Sequence, residues 1–176
     1  MFPKEKSYKL LIQQSIQQLR LASEHTEIIR KEMNELASTL PEYKTVMSMY
    51  GVGETYGPQL IAEIGDVSRF THREAITAFA GVDPGVNESG QFKQRSNRAS
   101  KNGSTRLRKT LFQVMSTYLQ NKPVNEPVYQ FLDRKRAEGK PYLVYMTAGA
   151  NKFLRIYYGK VKECLRNLEQ SQIEES

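Results

Sequence analysis

Residues 46–64 read VMSMYGVGETYGPQLIAEI, and this run sets the class of the fold. Two helix-forming segments, at about 42–49 and 54–64, flank Gly51-Val52-Gly53. Two glycines allow a tight turn and a close backbone approach to a phosphate. The N–H groups that open the second helix can contact a DNA backbone without reading bases. The pattern is typical of a helix-hairpin-helix, and a plain corner between two helices is the alternative. Pro58 favours a second helix that begins later, because proline is tolerated only near the first turn.

Helical periodicity continues towards the C terminus. Apolar stripes predict helices at about 104–120, 126–138 and 142–169. Thr71 and Glu74 have capping-box spacing ahead of a helix that Gly81 ends. No segment has the pattern of a central strand, and residues 85–103 are predicted to form a long loop or a short hairpin. The predicted fold class is mainly α: a long, coiled-coil-like N-terminal helix, then a helical domain that contains the helix-hairpin-helix.

Residues 4–40 predict one long helical arm that Pro41 ends. Its apolar and small residues are separated alternately by four and three positions, as in a coiled coil. These are Tyr8, Ile12, Ser15, Leu19, Ala22, Thr26, Ile29, Met33, Leu36 and Leu40. The seam either packs on its own domain or mediates self-association, and we expect a homodimer through residues 4–40. The predicted domains are the arm at 1–40, a DNA-handling domain at 41–169 and a tail at 170–176.

The positive charge is concentrated in one interval. The chain has 26 Lys+Arg and 19 Asp+Glu, a net charge of +7. No acidic residue occurs between Glu88 and Glu126, whereas eight cations do, so the remainder sums to −1. A local positive excess favours an anionic partner such as nucleic acid. The candidate nucleic-acid-binding residues are Gly51, Gly53, Lys93, Arg95, Arg98, Lys101, Arg106 and Lys109.

A helix start at Asn102-Gly103-Ser104 adds backbone N–H groups to these cations, which together predict a phosphate cradle. Ser104 is also the expected N-cap of that helix. A merely solvated charged loop is one alternative to the cradle. A helical scaffold whose basic loop meets acidic protein partners is another.

Other classes of protein are disfavoured by composition. The single cysteine, Cys164, excludes an internal disulfide and a cysteine-based zinc cluster. No apolar run approaches the ~20 residues that span a bilayer, and the N terminus lacks a signal-peptide pattern. We therefore expect a soluble, cytoplasmic protein without a membrane partner.

The order and spacing of several motifs, over about 45–165, resemble a known domain. The motifs are Tyr50-Gly51-Val52-Gly53, Ile61-Ala62-Glu63-Ile64-Gly65-Asp66, Arg69-Phe70, Ala78-Phe79-Ala80-Gly81-Val82-Asp83-Pro84, Glu88-Ser89-Gly90, Ser100-Lys101-Asn102-Gly103-Ser104 and Leu107-Arg108. The chain is similar to the C-terminal domain of the bridge-RNA-guided insertion-sequence transposases, the insertion sequence one-hundred-and-ten group. The arm at 4–40 resembles the coiled-coil segment that precedes this domain in the family.

The resemblance implies DNA transposition, with DNA and a structured guide RNA as partners. The family carries an N-terminal RuvC-like domain whose four acidic residues bind divalent metal, and nothing in this chain resembles it. We therefore expect a fragment or truncated product that is inactive without that domain. No metal site and no cofactor are expected in this chain, because the divalent metal belongs to the RuvC-like domain.

The resemblance also assigns a catalytic residue. The family's serine nucleophile, which becomes linked to a DNA phosphate, corresponds to Ser89. Neighbouring cations suit the stabilisation of phosphate charge, but neither His25 nor His72 lies nearby in the motif as a base. Without the resemblance Ser89 would be a turn residue, and the chain a non-catalytic helix-hairpin-helix module. The rival nucleophiles are Ser96, Ser100 and Ser104. Asp83 replaces an apolar residue of the family pattern, which puts the electrostatics of the site in doubt.

Overall fold

The structure is a computed structural model that describes residues 4–83, 88–89, 92–93 and 99–174. Within these ranges it is mainly helical, with a long N-terminal helix, which confirms the predicted mainly α class. The helix-hairpin-helix stays a prediction. None of the described helices combines the length and apolar character that a bilayer crossing requires. The elements are α1 (Lys4–Ser38), α2 (Tyr43–Met47), α3 (Gly53–Ile64), a 3-10 helix (Val67–Arg69), α4 (Arg73–Ala80), β1 (Glu88–Ser89), β2 (Phe92–Lys93), α5 (Thr105–Asn121), α6 (Pro127–Ala137) and α7 (Tyr142–Glu174).

The chain forms two compact units, Met1–Leu36 and Ala37–Ser176. The first unit is the arm helix α1, which continues to Ser38 and so ends just before Pro41. Its seam side chains are largely exposed: 58% for Ile12, 72% for Leu19 and 71% for Leu36. The domain bounds predicted from the sequence stay a prediction.

The core of the second unit is organised around α7. This helix packs against α2, α4, α5, α6 and the 3-10 helix, while α3 packs against α2 and α5. It runs to Glu174, five residues beyond the predicted end at 169. Burial of large apolar side chains supplies the main stabilisation. Fully buried members include Leu60, Ile64, Ile76, Leu107, Leu111, Met115, Tyr118, Leu132, Met146, Phe153, Leu154 and Tyr157.

Helix α3 accommodates Pro58 in its interior, so the expectation that this helix begins later is wrong. The helix begins at Gly53, and Pro58 lies buried in its second turn. A proline disfavours helical backbone at the preceding residue partly through a clash with its Cβ. The preceding residue is Gly57, which has no Cβ. A Cβ there would also lie only 2.4 Å from the Met47 sulfur and 3.3 Å from Val52.

Helix α4 is capped by His72, so the predicted capping box at Thr71 is wrong. The extended backbone of His72 places its Nδ1 where it accepts a hydrogen bond from the Ala75 N–H, at 3.2 Å. The Glu74 carboxylate lies 3.5 Å from the His72 Nδ1, but the cap itself is the imidazole nitrogen and not Thr71. The same carboxylate lies 3.0 Å from Arg73 Nε and 3.3 Å from Arg155 Nη2 of α7, and the Arg73 hydrogen bond holds the pKa of Glu74 below its usual value.

Gly81 ends α4, as predicted, in the left-handed conformation with φ of 65°. Of the two alternatives for 85–103, the four described hairpin residues support the short hairpin. β1 and β2 pair antiparallel, with Glu88 opposite Lys93 and Ser89 opposite Phe92.

Backbone hydrogen bonds bring the two ends of residues 84–99 together. The Ser100 N–H donates to the Asp83 carbonyl at 3.0 Å, and the Lys101 N–H donates to the Gly81 carbonyl at 3.3 Å. One step further, the Ser104 N–H donates to the Phe79 carbonyl at 2.7 Å. We call these paired residues, 79–83 and 100–104, the loop base. The start of α5 is thereby joined to the end of α4.

The loop base depends on a glycine at position 103. A Cβ on Gly103 would lie 2.1 Å from the Phe79 carbonyl oxygen and 2.5 Å from the Gly81 nitrogen. Both are backbone atoms of a helix end and cannot move aside as a flexible side chain does. Gly81, across the contact, would place a Cβ 3.0 Å from the Gly103 nitrogen. The two backbone segments can approach this closely because both positions are glycine.

We therefore expect Gly103→Ala to lower the free energy of unfolding by about 2 kcal/mol or more, because backbone must shift to admit the methyl group. Urea denaturation followed by circular dichroism measures this change. Gly159→Ala is the matched control, since a Cβ on this α7 residue meets no atom within 4 Å. It should raise stability by roughly 0.5–1 kcal/mol through helix propensity. Equal stability for the Gly103→Ala and unaltered chains would contradict the close contact.

Candidate nucleic-acid interface

The predicted site residues occupy three places in the second unit. Ser89 ends β1 and Lys93 ends β2. In chain order this hairpin lies between the two segments of the loop base. Arg95 and Arg98, like the rival nucleophile Ser96, lie outside the described residues. The remaining cations lie on or just before α5, and the two glycines lie between α2 and α3.

Side chains form hydrogen bonds that stabilise the loop base. Arg108 of α5 donates from Nη1 to the Ala80 carbonyl at 3.1 Å, placing a cation at the C-terminal end of α4, where the helix dipole favours it. Asn151 of α7 donates to the Val82 carbonyl at 3.3 Å. The Ser100 hydroxyl donates to the Asp83 carboxylate. The acid that departs from the family pattern thus closes the loop base, and Ser100 has a structural partner.

Three predicted cations remain available on the surface. Lys101, Arg106 and Lys109 are exposed, and their side chains make no ion pair or hydrogen bond to any residue that the structure describes. By contrast, Arg73 and Arg155 both pair with Glu74. Cations that no ion pair engages can interact with an external anion.

The N terminus of α5 is already partly occupied, which corrects the predicted phosphate cradle. Ser104 is the N-cap, as predicted: its hydroxyl oxygen accepts from the Leu107 N–H at 3.1 Å. The same hydroxyl donates to Glu63 Oε2 at 3.1 Å, and the Ser104 N–H is taken by Phe79. The sequence could not reveal this, because Glu63 is 41 positions away and belongs to α3. A carboxylate at a helix N terminus opposes an incoming phosphate there.

The glycine turn between α2 and α3 has left-handed backbone at both positions, with φ of 76° at Gly51 and 53° at Gly53. Gly51 lies against Tyr118, whose ring would be 3.4 Å from a Cβ. Burial raises the pKa of the Tyr118 hydroxyl above its usual value. Gly53 faces open space, with no atom within 4 Å of a Cβ, and Val52 provides no side-chain cap. The turn therefore presents backbone at the surface.

The structure separates the glycine turn from the N terminus of α5. Helix α3 runs antiparallel to α5, since its last turn contacts Ser104 while Gly51 contacts Val114. Ten residues of helix rise about 15 Å. The two predicted phosphate contacts thus lie apart along the α3–α5 pair, and they cannot bind the same phosphate.

Several described acids of this unit are engaged in separate contacts. Across the described residues, no group of three or more His, Cys, Asp or Glu side chains is placed to hold a metal ion. Glu63 accepts from Ser104, Asp83 accepts from Ser100, and Glu74 pairs with arginines. The Asp66 carboxylate caps the 3-10 helix, and its hydrogen bonds from Ser68 lower its pKa.

Sequence reasoning missed three residues of this surface: Glu63, Arg108 as a clamp, and Phe112. In the sequence, Phe112 lies beside the apolar stripe of α5 and not on it. An aromatic residue in that position was the signal that could have identified it as a surface residue. Phe112 is partly buried against the core and lines a surface groove on α5. No sequence signal pairs Arg108 with the Ala80 carbonyl, because the contact spans 28 positions.

The fold and this surface define a helical domain in which the loop base is followed by exposed cations of α5. The sequence model of the Transposase IS116/IS110/IS902 family matches residues 43–130, which is half of the chain. The chain belongs to this family, and the resemblance inferred from its motifs is confirmed at that level. The match extends from the first residue of α2 into α6. No curated protein matches the chain.

Glu63 should weaken anion binding at the N terminus of α5. We expect Glu63→Gln, which keeps an oxygen to accept from Ser104, to tighten binding of duplex DNA roughly two- to fivefold at low salt, because a charge at a helix terminus is worth about 0.3–1 kcal/mol. Fluorescence anisotropy measures the affinity, and the gain should shrink as salt rises. Glu169→Gln changes the net charge equally on the exposed end of α7. Equal gains in the two variants would contradict a local effect.

Proposed function

We propose that this chain is the DNA-binding, nucleophile-bearing part of an insertion-sequence transposase. In this proposal the Ser89 oxygen attacks a DNA phosphorus and forms a P–O bond, the bond to the leaving nucleoside oxygen breaks, and the hydroxyl proton passes to a base. The observation that carries the proposal is the clamped loop base, beside α5 cations that no described acid neutralises. A nucleophile needs a held backbone and nearby positive charge for the pentavalent phosphate.

Activation of Ser89 is assigned to a second domain. The His72 Nδ1 is engaged in capping α4, so this nitrogen does not serve as the base. Family membership supports a composite site in which a RuvC-like domain, with its divalent metal, supplies activation. The residues of this chain would bind the DNA backbone and hold the hairpin. DNA is the principal partner, and a structured guide RNA is the second, in keeping with systems where base pairing supplies sequence specificity.

A homodimer through α1 is the proposed assembly. The exposed apolar seam supports it, because side chains such as Leu19 and Leu36 leave most of their surface uncovered. The four-and-three spacing suits knobs-into-holes packing between two copies of α1. The small side chains Ser15 and Ala22 weaken its centre, so we expect a dimer that dissociates on dilution.

The geometry of the glycine turn favours a second candidate, a non-catalytic helix-hairpin-helix module. Left-handed Gly51 and Gly53, with open space at Gly53, would let a phosphate approach the α3 N terminus. This candidate needs no chemistry at Ser89. It predicts binding through the sugar–phosphate backbone alone.

Ser89→Ala tests the two candidates. In the complete enzyme with its RuvC-like domain, we expect loss of strand joining by roughly three orders of magnitude or more. The covalent protein–DNA product on a denaturing gel should also disappear. Binding of duplex DNA should be unchanged, because a backbone contact does not need the hydroxyl. Ser96→Ala is the control within the same segment. Full joining activity in Ser89→Ala would leave the binding module as the function.

A salt series on the chain itself tests DNA binding. The triple variant Arg95→Ala, Arg98→Ala and Lys101→Ala should reduce the log–log salt slope by roughly 0.9 for each duplex DNA phosphate that its side chains no longer neutralise. A chain that binds neither duplex DNA nor structured RNA at low salt would refute the binding role on its own.

Charge placed in the seam should dissociate the arm. We expect Leu19→Asp to convert a dimer of about twice 20.2 kDa into a monomer, because two aspartates would meet in an apolar contact. Sedimentation equilibrium measures the mass. Gln14→Asp, one helical face away, is the control and should remain dimeric. An unaltered chain that is monomeric at all concentrations would contradict the dimer.

A further inference from the structure

A shallow groove of about 360 Å³ runs along one face of α5. This volume lies at the low end of ligand-binding clefts, roughly 300–1,000 Å³. Its lining residues recur at three and four positions, so they form one stripe on the helix surface. They are Thr105, Arg108, Lys109, Phe112, Gln113 and Ser116.

The chemistry of the stripe changes along the helix. Lys109, near its N-terminal end, carries an unpaired positive charge. Phe112 lies one turn on, about 4.5 Å along the axis. Gln113 and Ser116 follow with hydrogen-bonding groups. The Ser116 hydroxyl donates to the Phe112 carbonyl at 2.9 Å and retains lone pairs to accept from a ligand. The Gln113 side chain bonds to no residue that the structure describes.

Several aromatic rings of the second unit have an aromatic or cationic partner among the described residues, and Phe112 does not. Tyr50 stacks with Tyr118, and Arg69 lies 4.5 Å from the Phe70 and Phe79 ring centres. For Phe112, the described residues include neither an aromatic partner nor a cation over the ring. Its neighbour Arg108 is directed to the Ala80 carbonyl instead. A partly exposed ring beside a free cation can accept an external flat group.

We propose that this groove binds one unpaired nucleotide of a single-stranded DNA or RNA segment, with the base stacked on Phe112 and the adjacent phosphate at Lys109. This rests on the proposed nucleic-acid role of the chain and names the ligand of the α5 surface. Every base has a π face, so stacking on an aromatic ring tolerates sequence. Gln113 and Ser116 lie where the edge of the base would project. A paired base does not fit, because its neighbours in the duplex already cover both faces.

The absence of tryptophan from the chain provides a direct test. Phe112→Trp introduces a single tryptophan at the proposed stacking position, and excitation near the red edge of the absorption band separates its emission from that of the tyrosines. We expect oligothymidylate and oligouridylate to quench this fluorescence, and an abasic oligonucleotide with the same phosphates to leave it unchanged. Unequal affinity for the first two probes would identify DNA or RNA as the preferred source of the nucleotide.

Binding measurements complete the test. Phe112→Leu keeps an apolar side chain without a ring, and it should weaken binding of oligothymidylate roughly 5- to 140-fold, which corresponds to about 1–3 kcal/mol of stacking. Its affinity for the abasic probe should not change. Phe131→Leu removes a partly exposed ring on α6 and should have no effect. Lys109→Ala should weaken both probes equally.

Two results would overturn the groove proposal. Neither of them would overturn the general role in nucleic-acid binding. One is equal affinity of the unaltered chain and Phe112→Leu for oligothymidylate, with both chains folded by circular dichroism. The other is an unquenched Phe112→Trp chain that nevertheless binds. In either case duplex binding would still support the proposed function. A chain that binds no nucleic acid at low salt would remove both proposals together.

Discussion

The close backbone contact between Gly103 and the end of α4 is the constraint on which the site depends. It brings the Ser104 N–H to the Phe79 carbonyl and so sets where α5 begins. The start of α5 in turn places Arg108 on the Ala80 carbonyl, and this closes the loop base. The hairpin that bears Ser89 and the cations of α5 share this one anchor.

Helix α5 contributes both to the stability of the second unit and to its exposed, positively charged surface. One face buries Leu107, Leu111 and Met115 completely, and apolar burial of this kind is worth about 1.5–3 kcal/mol per side chain. The opposite face keeps its cations in solvent, where they cost little and remain free. Glu63 places a negative charge at the N-terminal end of the helix. The helix is thus held by its apolar stripe, while the exposed stripe is free to meet a ligand.

Local patterns predicted well wherever the deciding interaction was local. The apolar stripes predicted the helices, Gly81 the end of α4, and Ser104 the cap of α5. Predictions failed where a neighbouring residue changed the outcome that the local pattern indicated. His72 caps α4 in place of Thr71, because its backbone is extended. Pro58 lies inside α3 because Gly57, the residue before it, has no Cβ to clash with the proline ring. For the candidate site, the cations and the glycine turn came from the sequence, while the roles of Glu63, Arg108 and Phe112 did not.

The sequence by itself determined a mainly helical chain, an apolar seam on its first helix, a concentration of positive charge and the motifs of an insertion-sequence transposase family. These follow from periodicity, composition and spacing, which are properties of neighbouring residues. Only the tertiary structure decided that the glycine turn and the N terminus of α5 lie apart along the α3–α5 pair. It alone brought Glu63 to Ser104, across 41 positions. The physical reason is that contacts between helices depend on packing angles and close approach, which no local pattern encodes.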